Sequence, residues 1–354
     1  MTVLINILSF LFIITILVVI HELGHFLAAK SIGLRVEKFY VGFNLFGLGL
    51  KKKINETEFG IGLFPIGGYV KVAGMVDESL DDQYNGEPDE YVSKSMLQKI
   101  WFTSGGVIFN FILAFILFSG LTFFNGRAVP LDTTIIGVIA ENEPADKAGL
   151  LSGDKIISID DVDVSTWDEL RIEINQKPRQ NIKLEYERNN QLFDTSILVS
   201  SMLIPNGDSI GVIGIGSEFF KSDPGFFKSI YYGFNDLLAW LSIMSQSIYS
   251  FFTGQLDIKN FGGPILIGKI AGDAANIGMG AIISLMAILS VNLGIINILP
   301  FPGLDGGHAL IAIIEGIIGR RIPFKTLMII QQIGVLLLAI FFFIVMKNDI
   351  SRLF

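Results

Sequence analysis

The chain has 354 residues, of which 51% are hydrophobic and 17% are charged, whereas about 25% are charged in an average soluble protein. Its net charge of −8 is unfavourable for binding the phosphate backbone of nucleic acids, and we expect no nucleic-acid partner. Cysteine is absent, which excludes disulfides, thiolate metal sites and cysteine nucleophiles. The composition indicates a protein that is largely embedded in a membrane.

Four apolar segments approach the ~20 residues that a helix needs to cross a bilayer. The first lacks the basic residues and the small-residue cleavage site of a signal peptide, so we expect a retained helix. The four segments are residues 3–20, about 105–124, about 281–299 and 326–346.

Basic residues are concentrated in two of the loops that join these segments. The loop after the first segment includes three consecutive lysines at 51–53, and the loop after the third includes Arg320 and Arg321. The positive-inside rule predicts that both loops are cytoplasmic, and the acidic stretch 77–90 has little weight in that rule. Both termini, and the region between the second and third segments, are then expected outside the cytoplasm.

The long region between the second and third segments has two parts. Residues 134–199 have the composition of a small soluble domain, with a helix-like stretch at 167–175 behind Ser165 or Thr166 as its cap. Residues 226–252 mix aromatic and polar side chains, and we predict an interfacial amphipathic segment instead of a fifth span. The β-like runs of the soluble part are 135–140, 155–159, 181–187 and 193–199.

The strongest chemical signal is the sequence His-Glu-Leu-Gly-His at 21–25, directly after the first apolar segment. On a helix, His21 and His25 share one face and can bind one Zn²⁺, and Glu22 lies beside them as a general base. Ionisable groups at membrane depth are costly and indicate function, although two histidines that only pack remain an alternative. Catalytic zinc usually has three protein ligands, so a third is expected elsewhere.

The third ligand is expected near the end of the third segment, where Asp305 and His308 are both candidates. They belong to the sequence Asn-Ile-Leu-Pro-Phe-Pro-Gly-Leu-Asp-Gly-Gly-His at 297–308. Its prolines and glycines interrupt the helix, which is tolerated at membrane depth where protein or a water-filled cavity satisfies the backbone. A turn that merely ends the helix would explain the prolines and glycines but not the carboxylate.

Together, these motifs resemble bacterial site-2 proteases of the RseP type, which are intramembrane zinc metalloproteases. The resemblance rests on residues 21–25, on the Asn-x-x-Pro-x-Pro-x-Leu-Asp-Gly-Gly pattern at 297–307 and on a domain between them, and it covers nearly the whole chain. It implies that His21, His25 and Asp305 bind one Zn²⁺ per chain. Glu22 is then the general base, and His308 is a bystander.

The resemblance also implies how a substrate would be held. Asn297 is similar to the asparagine that binds the substrate backbone in this family, and Asn292 either assists it or only packs. A transmembrane helix hides its peptide bonds, so the substrate must unwind locally. Residues 64–71 are similar to the membrane-reentrant β-hairpin of the family, which could add the unwound segment as a strand; Gly67 and Gly68 would allow close backbone approach. An ordinary cytoplasmic turn is the alternative for this segment.

One departure from the family pattern lies in the second span. The family commonly has Gly-Pro-x-x-Asn, whereas residues 106–110 are Gly-Val-Ile-Phe-Asn. The glycine and the asparagine match and the proline does not. This departure weakens the expectation of a kink in the second span and does not affect the zinc ligands.

The soluble part resembles a bacterial PDZ domain. Residues 143–161 contain its Pro-Ala-x-x-Ala-Gly-Leu-x-x-Gly-Asp core. Such domains bind extended peptides beside a helix, which is expected at 168–175. Residues 127–133 lack a Gly-Leu-Gly-Phe type of carboxylate loop, so we favour a size filter that excludes substrates with large outer domains.

The expected fold is a multi-span α-helical membrane protein with four transmembrane helices, a membrane-reentrant β-hairpin and an inserted small α+β PDZ domain. The predicted divisions are a first helix with the zinc motif (1–30), a cytoplasmic loop with the hairpin (31–100), a second helix (101–126), the PDZ domain (127–205), the interfacial segment (206–264), a third transmembrane segment (265–315) and a fourth helix with the C-terminal tail (316–354).

The expected function is zinc-dependent cleavage within or beside transmembrane helices, in regulated intramembrane proteolysis. The resemblance implies single-span substrates such as anti-sigma factors, already trimmed outside, and signal-peptide remnants. It places the protein in the lipid bilayer of the bacterial cytoplasmic (inner) membrane, with the active site near the cytoplasmic side and with the PDZ domain and both termini extracytoplasmic.

Two other classes of function are alternatives to proteolysis. A non-catalytic membrane PDZ adaptor with a structural zinc would have no use for Glu22 as a base. A transporter with broken helices would be expected to contain an inverted repeat, and none is evident in the sequence.

Overall fold

Long helices dominate the structure, because the apolar segments contain few residues that interrupt a helix. The computed structural model describes residues 2–43, 49–75, 86–204 and 208–353. The helices are α1 (Thr2–Ser31), α2 (Met96–Asn125), α3 (Pro144–Lys147), α4 (Trp167–Asn175), α5 (Gly225–Phe252), α6 (Pro264–Ile277), α7 (Met279–Ile298), α8 (Asp305–Ile318) and α9 (Phe324–Leu353).

Within the described residues, four helices are long and apolar enough to cross a membrane, namely α1, α2, α7 and α9. Each corresponds to one of the four predicted segments, and α7 ends at Ile298, one residue before the predicted end. Helix α1 continues to Ser31 and therefore includes the whole His-Glu-Leu-Gly-His sequence. Helix α2 starts well before its apolar segment because Ser95 and Gln98 exchange two hydrogen bonds that cap its N-terminus.

Two further predictions concern regions outside these four helices. The predicted interfacial segment contains α5, a helix of 28 residues that is not among the four candidate spans. Its location at the membrane interface stays a prediction. Of the acidic stretch 77–90, only residues 86–90 lie within the described part of the chain.

The chain divides into two compact units. The first unit comprises Met1–Leu121, Ser229–Ser245 and Asp257–Phe354, and the second comprises Thr122–Lys228 and Gln246–Leu256.

A four-stranded mixed sheet belongs to the first unit. Its strands have the order β2-β3-β1-β4, in which β1 is parallel to β3 and antiparallel to β4. Residues 64–71, predicted as a hairpin, lie in the single strand β4 at an edge of the sheet, and β2 and β3 form the hairpin. The strands are β1 (Val36–Phe43), β2 (Gly49–Ile54), β3 (Thr57–Gly62) and β4 (Phe64–Val72).

Apolar contacts fix this sheet against α1 and α2. Val36 of β1 and Val72 of β4 are buried with Ala29 of α1 and Phe102 of α2. Burial of apolar surface stabilises the fold by about 25 cal/mol for each Å² removed from water. The edge strand β4 is thereby held beside α1, which carries two of the candidate metal ligands.

The second unit is built around a sheet of order β10-β9-β7-β8. Inward-facing Ile156, Ile182 and Leu184 form part of its core. Helix α4 packs against it and begins with a capping box between Thr166 and Glu169. The strands of this unit are β5 (Arg127–Pro130), β6 (Ile136–Ile139), β7 (Lys155–Ile159), β8 (Val162–Asp163), β9 (Asn181–Arg188), β10 (Gln191–Leu198), β11 (Ser200–Leu203), β12 (Ser209–Val212), β13 (Ile215–Ser217) and β14 (Phe219–Ser222).

The second unit extends beyond the predicted limits of 127–205. Strand β12 pairs with β11, β13 pairs with β6, and β14 pairs with β5. The strands after residue 208 are therefore integral to this unit, because they complete hydrogen-bonded pairs that the preceding strands begin.

A buried ion pair joins two parts of the second unit. The Arg188 guanidinium donates hydrogen bonds of 2.7 Å to both carboxylate oxygens of Asp154, which is 1% exposed. Burial alone would raise the pKa of Asp154, but the hydrogen bonds from Arg188 and from the Leu151 backbone outweigh it and hold that pKa below its usual value. The charged carboxylate therefore stabilises the folded unit.

We predict that Arg188→Gln destabilises the second unit near pH 7 and that the loss shrinks as the pH falls to about 4. In the wild type, the lowered pKa makes the Asp154 contribution present above the unfolded pKa of ~3.9 and lost below it. In the variant, Asp154 is buried without the Arg188 cation, which raises the Asp154 pKa. Protonation at low pH then removes the cost of burying the charged carboxylate. Hydrogen exchange of the β7 and β9 amides in the full chain measures this difference.

Arg171→Gln is the matched control for this prediction. Its ion pair with Asp168 is exposed at both partners, so it is expected to contribute little. A stability loss in Arg188→Gln that is independent of pH would contradict the role assigned to Asp154.

Candidate metal centre

Helix α1 holds the two histidines of the 21–25 sequence on one face. The imidazole rings of His21 and His25 lie one helical turn apart, with their centroids 4.8 Å from each other. Their exposed fractions are 9% and 7%. Two buried imidazoles in a membrane-spanning helix need polar partners to offset the cost of burial.

Asp305 is the first residue of α8 and faces these histidines because the chain turns sharply between α7 and α8. Gly303 has a φ of +95°, which glycine adopts without strain. A Cβ on Gly306 would lie 2.1 Å from the carbonyl oxygen of Ile298, so this glycine lets α8 begin directly against the end of α7. The glycines of this motif thus direct the carboxylate towards α1.

The three side chains converge on one point. His21 Nε2 lies 3.2 Å from His25 Nε2 and 3.2 Å from Asp305 Oδ2, and His25 Nε2 lies 3.2 Å from Asp305 Oδ1. Donors that share a tetrahedral zinc ion at ~2.0 Å are about 3.3 Å apart. The buried Asp305 Oδ2 makes no hydrogen bond within the described residues despite its nearness to His21. The donor set, its spacing and this unbonded oxygen fit a zinc ion.

Helix α2 supplies partners for the far side of both imidazoles. His25 Nδ1 lies 3.0 Å from the carbonyl oxygen of Phe102. His21 Nδ1 lies 3.0 Å from the side-chain amide of Asn110, which is fully buried. Outer partners of this kind orient metal-ligating histidines.

Glycines let α1 and α2 approach closely enough for these contacts. A Cβ on Gly24 would lie 2.2 Å from the backbone oxygen of Gly105. A Cβ on Gly106 would lie 2.5 Å from both His21 Cε1 and His25 Nε2. The imidazoles therefore occupy the space that a side chain at position 106 would need.

Glu22 lies where strand β4 passes α1. A Cβ on Gly68 would lie 3.3 Å from Glu22 Cγ and 2.8 Å from the Tyr40 carbonyl oxygen, so glycine permits the strand to run this close. The backbone amide of Val70 interacts with the Glu22 carboxylate. The base candidate is thus held between the metal ligands and the edge strand.

A cavity of about 470 Å³ opens beside the three ligands. Asn297 belongs to its lining, and its amide nitrogen lies 3.5 Å from His21 Nε2. His308 also lines the cavity, but the group of possible metal ligands within the described residues is His21, His25 and Asp305. The lining consists of His21, Glu22, His25, Lys38, Gly68, Tyr69, Val70, Lys71, Met75, Phe102, Thr103, Asn297, Gly303, Leu304, Asp305, His308 and Gln331.

Two of the predicted substrate-binding residues are not part of this lining. Asn292 is half-buried on α7, more than one turn before Asn297. Gly67 precedes Gly68 in β4 with a φ of +95°. The structure thus brings Asn297 and Gly68 to the cavity, whereas Asn292 and Gly67 lie outside its lining.

A His-Glu-x-x-His helix, a distant carboxylate and a cavity lined by helices of membrane-spanning length and by strand β4 define a membrane-embedded zinc hydrolase. The model of peptidase family M50 matches residues 9–341. The chain therefore belongs to this family of site-2 proteases, and it is a zinc-dependent intramembrane protease of bacterial membranes.

Two relatives that match over nearly their whole length agree with this assignment. A protein of Clostridium acetobutylicum described as a zinc metalloprotease is 32% identical over 95% of this chain and 94% of its own length. The zinc metalloprotease RasP of Shouchella clausii is 27% identical over 99% of both chains. Among solved structures, the PDZ domain of an SdrC-like protein of Listeria monocytogenes is 21% identical with a TM-score of 0.21, covering 25% of this chain and 90% of that one.

Several residues that surround the ligands had no predicted role. Gly106 and Asn110 appeared only as matches to a family pattern. The signal that could have identified Asn110 is that it is the one side-chain amide in the apolar segment 105–124. The Phe102 carbonyl has no sequence signal, because every residue carries one.

We predict that Gly106→Ala weakens zinc binding by about 10- to 100-fold, the range typical of changes next to metal ligands. The added methyl group would force His21 and His25 away from their positions. The measurement is the apparent Kd for zinc of the purified protein, by competition with a chromophoric chelator.

Gly120→Ala is the control on the same helix, because a Cβ at position 120 meets nothing within 4 Å. It is expected to bind zinc like the wild type. Equal zinc affinity in both variants would show that the close approach at Gly106 does not matter.

Proposed function

We propose that His21, His25 and Asp305 bind one zinc ion per chain and that Glu22 is the general base of peptide-bond hydrolysis. The observation that carries this proposal is the set of three 3.2 Å separations among ligand atoms from α1 and α8. Zinc bound there supplies a Lewis acid that polarises the scissile carbonyl and activates water for attack.

The residues around the ligands transfer the proton and bind the substrate. A Glu22 carboxylate oxygen takes the proton of the attacking water and passes it to the nitrogen of the leaving amine. The Asn297 amide, on the cavity wall beside His21, donates a hydrogen bond to the backbone of the substrate. Burial of the site strengthens these interactions because little water competes with them.

The substrate is proposed to bind as an additional strand at the edge of β4. Within the described residues β4 pairs on one side only, with β1, and its Gly68, Tyr69 and Val70 line the cavity next to Glu22. A transmembrane helix must unwind before its peptide bonds are accessible, and pairing with an edge strand replaces the hydrogen bonds that it gives up. Gly68 keeps the strand close to the base.

We propose that this sheet enters the membrane as a reentrant element. Leu50, Ile61 and Leu63 are each at least 60% exposed, and Leu50 pairs across the hairpin with Ile61. An exposed apolar face of this kind is favourable in contact with lipid. The neighbouring lysines at 51–53 suit anionic headgroups.

A second cavity, of about 380 Å³, offers a path for water. It shares Lys71, Met75, His308 and Gln331 with the cavity at the metal ligands. Its wall also contains the ion pair of Lys99 with Glu315, whose atoms are 2.8 Å apart. Hydrolysis consumes water, and a cavity lined by charged groups can hold it next to the site.

The proposed substrates are single-span membrane proteins, in particular anti-sigma factors already trimmed on the outside and signal-peptide remnants. We assign the second unit a PDZ-type fold, in which α4 lies beside β12 with an apolar groove between them. Its proposed role is to exclude substrates that still carry a large outer domain.

The distribution of charge supports a topology for this arrangement. The basic loops at 30–53 and 320–325 are proposed to be cytoplasmic, which places the zinc ligands near the cytoplasmic face of the inner membrane. The second unit and both termini are then extracytoplasmic.

Glu22→Gln is predicted to retain about one zinc per chain and to lose cleavage by about 10²- to 10⁴-fold, because an amide cannot accept the proton. Cleavage of a tagged single-span substrate by the protein in detergent measures activity, and metal analysis of the same samples measures zinc. His308→Gln is the control that tests the rival ligand, and it should keep the metal. Loss of zinc in His308→Gln would show that His308, and not Asp305, is the third ligand.

The size filter predicts that a substrate with a folded outer domain is cut much more slowly than the same substrate with a short tail. The test places a specific protease site between the domain and the span. Trimming at that site should restore cleavage by the wild-type chain. Equal rates before and after trimming would exclude the filter.

A further inference from the structure

We propose that Asn110 is a positioning residue that holds the His21 imidazole in the tautomer able to bind zinc. In this tautomer Nδ1 carries the proton and donates a hydrogen bond to the Asn110 side-chain oxygen, which leaves the Nε2 lone pair for the metal. The proposal rests on the proposed metal site of His21, His25 and Asp305. It concerns the groups that contact the ligand histidines on the side away from the metal.

His25 illustrates the requirement. Its Nδ1 lies 3.0 Å from the Phe102 carbonyl oxygen, which can only accept a hydrogen bond. Nδ1 must therefore carry the proton, and the Nε2 lone pair points towards Asp305 and His21. A backbone group thus sets the tautomer of this ligand.

His21 faces the same requirement with a different partner. Its Nε2 points into the ligand cluster, and its Nδ1 lies 3.0 Å from the Asn110 side-chain nitrogen. The side-chain oxygen of Asn110 is buried without a hydrogen-bond partner within the described residues. That amide has a donor end and an acceptor end of nearly identical shape, so the chemistry of its partner decides which end faces the ring. Zinc binding through Nε2 requires Nδ1–H, and the oxygen end of Asn110 must then face His21.

The surroundings of Asn110 favour this role over simple packing. The residue is fully buried in the interior of a membrane-spanning helix, where an amide is costly unless it is hydrogen-bonded. Its backbone oxygen accepts a 2.7 Å hydrogen bond from the Ser290 hydroxyl of α7. Gly106, one turn earlier on α2, leaves room for the imidazole. The bond from Ser290 is to the backbone of Asn110 and does not involve the side-chain amide that faces the ligand of α1.

Two substitutions separate an acceptor role from a packing role. Asn110→Leu keeps a similar volume without an acceptor, and it is expected to raise the Kd for zinc by about 10- to 100-fold. Asn110→Asp retains an acceptor for Nδ1–H, and it is expected to bind zinc nearly as tightly as the wild type. Competition with a chromophoric chelator measures both values in the detergent-purified full chain, without reference to proteolytic activity.

Ser290→Ala is the matched control. It lies at the same contact and is equally buried, and it removes a hydrogen bond to Asn110 without removing the group that faces His21. Its zinc affinity is expected to match the wild type. If Asn110→Leu binds zinc as tightly as the wild type, or if Asn110→Asp loses zinc as fully as Asn110→Leu, the positioning role is excluded.

A measurement on the wild-type chain decides the matter even if Asn110→Leu fails to fold. The sequence contains three histidines, so ring ¹⁵N labelling of the zinc-loaded protein gives few nitrogen signals, and His308→Gln identifies those of His308. Protonated Nδ1 and metal-bound Nε2 are expected for both His21 and His25. Zinc on His21 Nδ1, or an unprotonated Nδ1, would overturn the proposal, whereas a wild-type chain that binds no zinc would overturn the metal site itself.

Discussion

Two imidazoles and a carboxylate meet at separations of 3.2 Å among apolar helices, and the packing of the first unit follows from that requirement. Helices α1 and α2 can approach because Gly24 and Gly105 carry no side chains at their crossing, and Gly106 leaves space for the imidazoles. Helix α8 can begin against the end of α7 because Gly306 also lacks a side chain. A larger residue at position 106 would meet the two imidazoles, and one at position 306 would meet the end of helix α7.

Polar groups at membrane depth also need partners, and the structure supplies them from other elements. Helix α2 offers the Phe102 carbonyl and the Asn110 amide to the two histidines, and strand β4 brings a backbone amide to Glu22. The same strand borders the cavity and has an unpaired side within the described residues. The contacts that stabilise the ligands therefore also place a strand edge where an unwound substrate can pair.

Local patterns allowed much of this arrangement to be predicted. Apolar runs indicated α1, α2, α7 and α9, because the length of such a run is a property of the sequence alone. The third ligand was harder to predict from the sequence, because Asp305 and His308 are both candidates and lie three residues apart. The family resemblance favoured Asp305, and the start of α8 directs this carboxylate to the histidines while His308 lies on the cavity wall.

The sequence by itself determined the membrane-spanning helices, the His-Glu-x-x-His face and the family, because each depends on residues that are close together in the chain. Only the tertiary structure decided which groups stand behind the ligands and where β4 runs. Asn110 is 89 residues from His21, and residues 64–71, which resemble a hairpin in sequence, lie in one edge strand because β1 pairs with them. Such pairings depend on how distant segments fold against one another, and a linear pattern does not encode them.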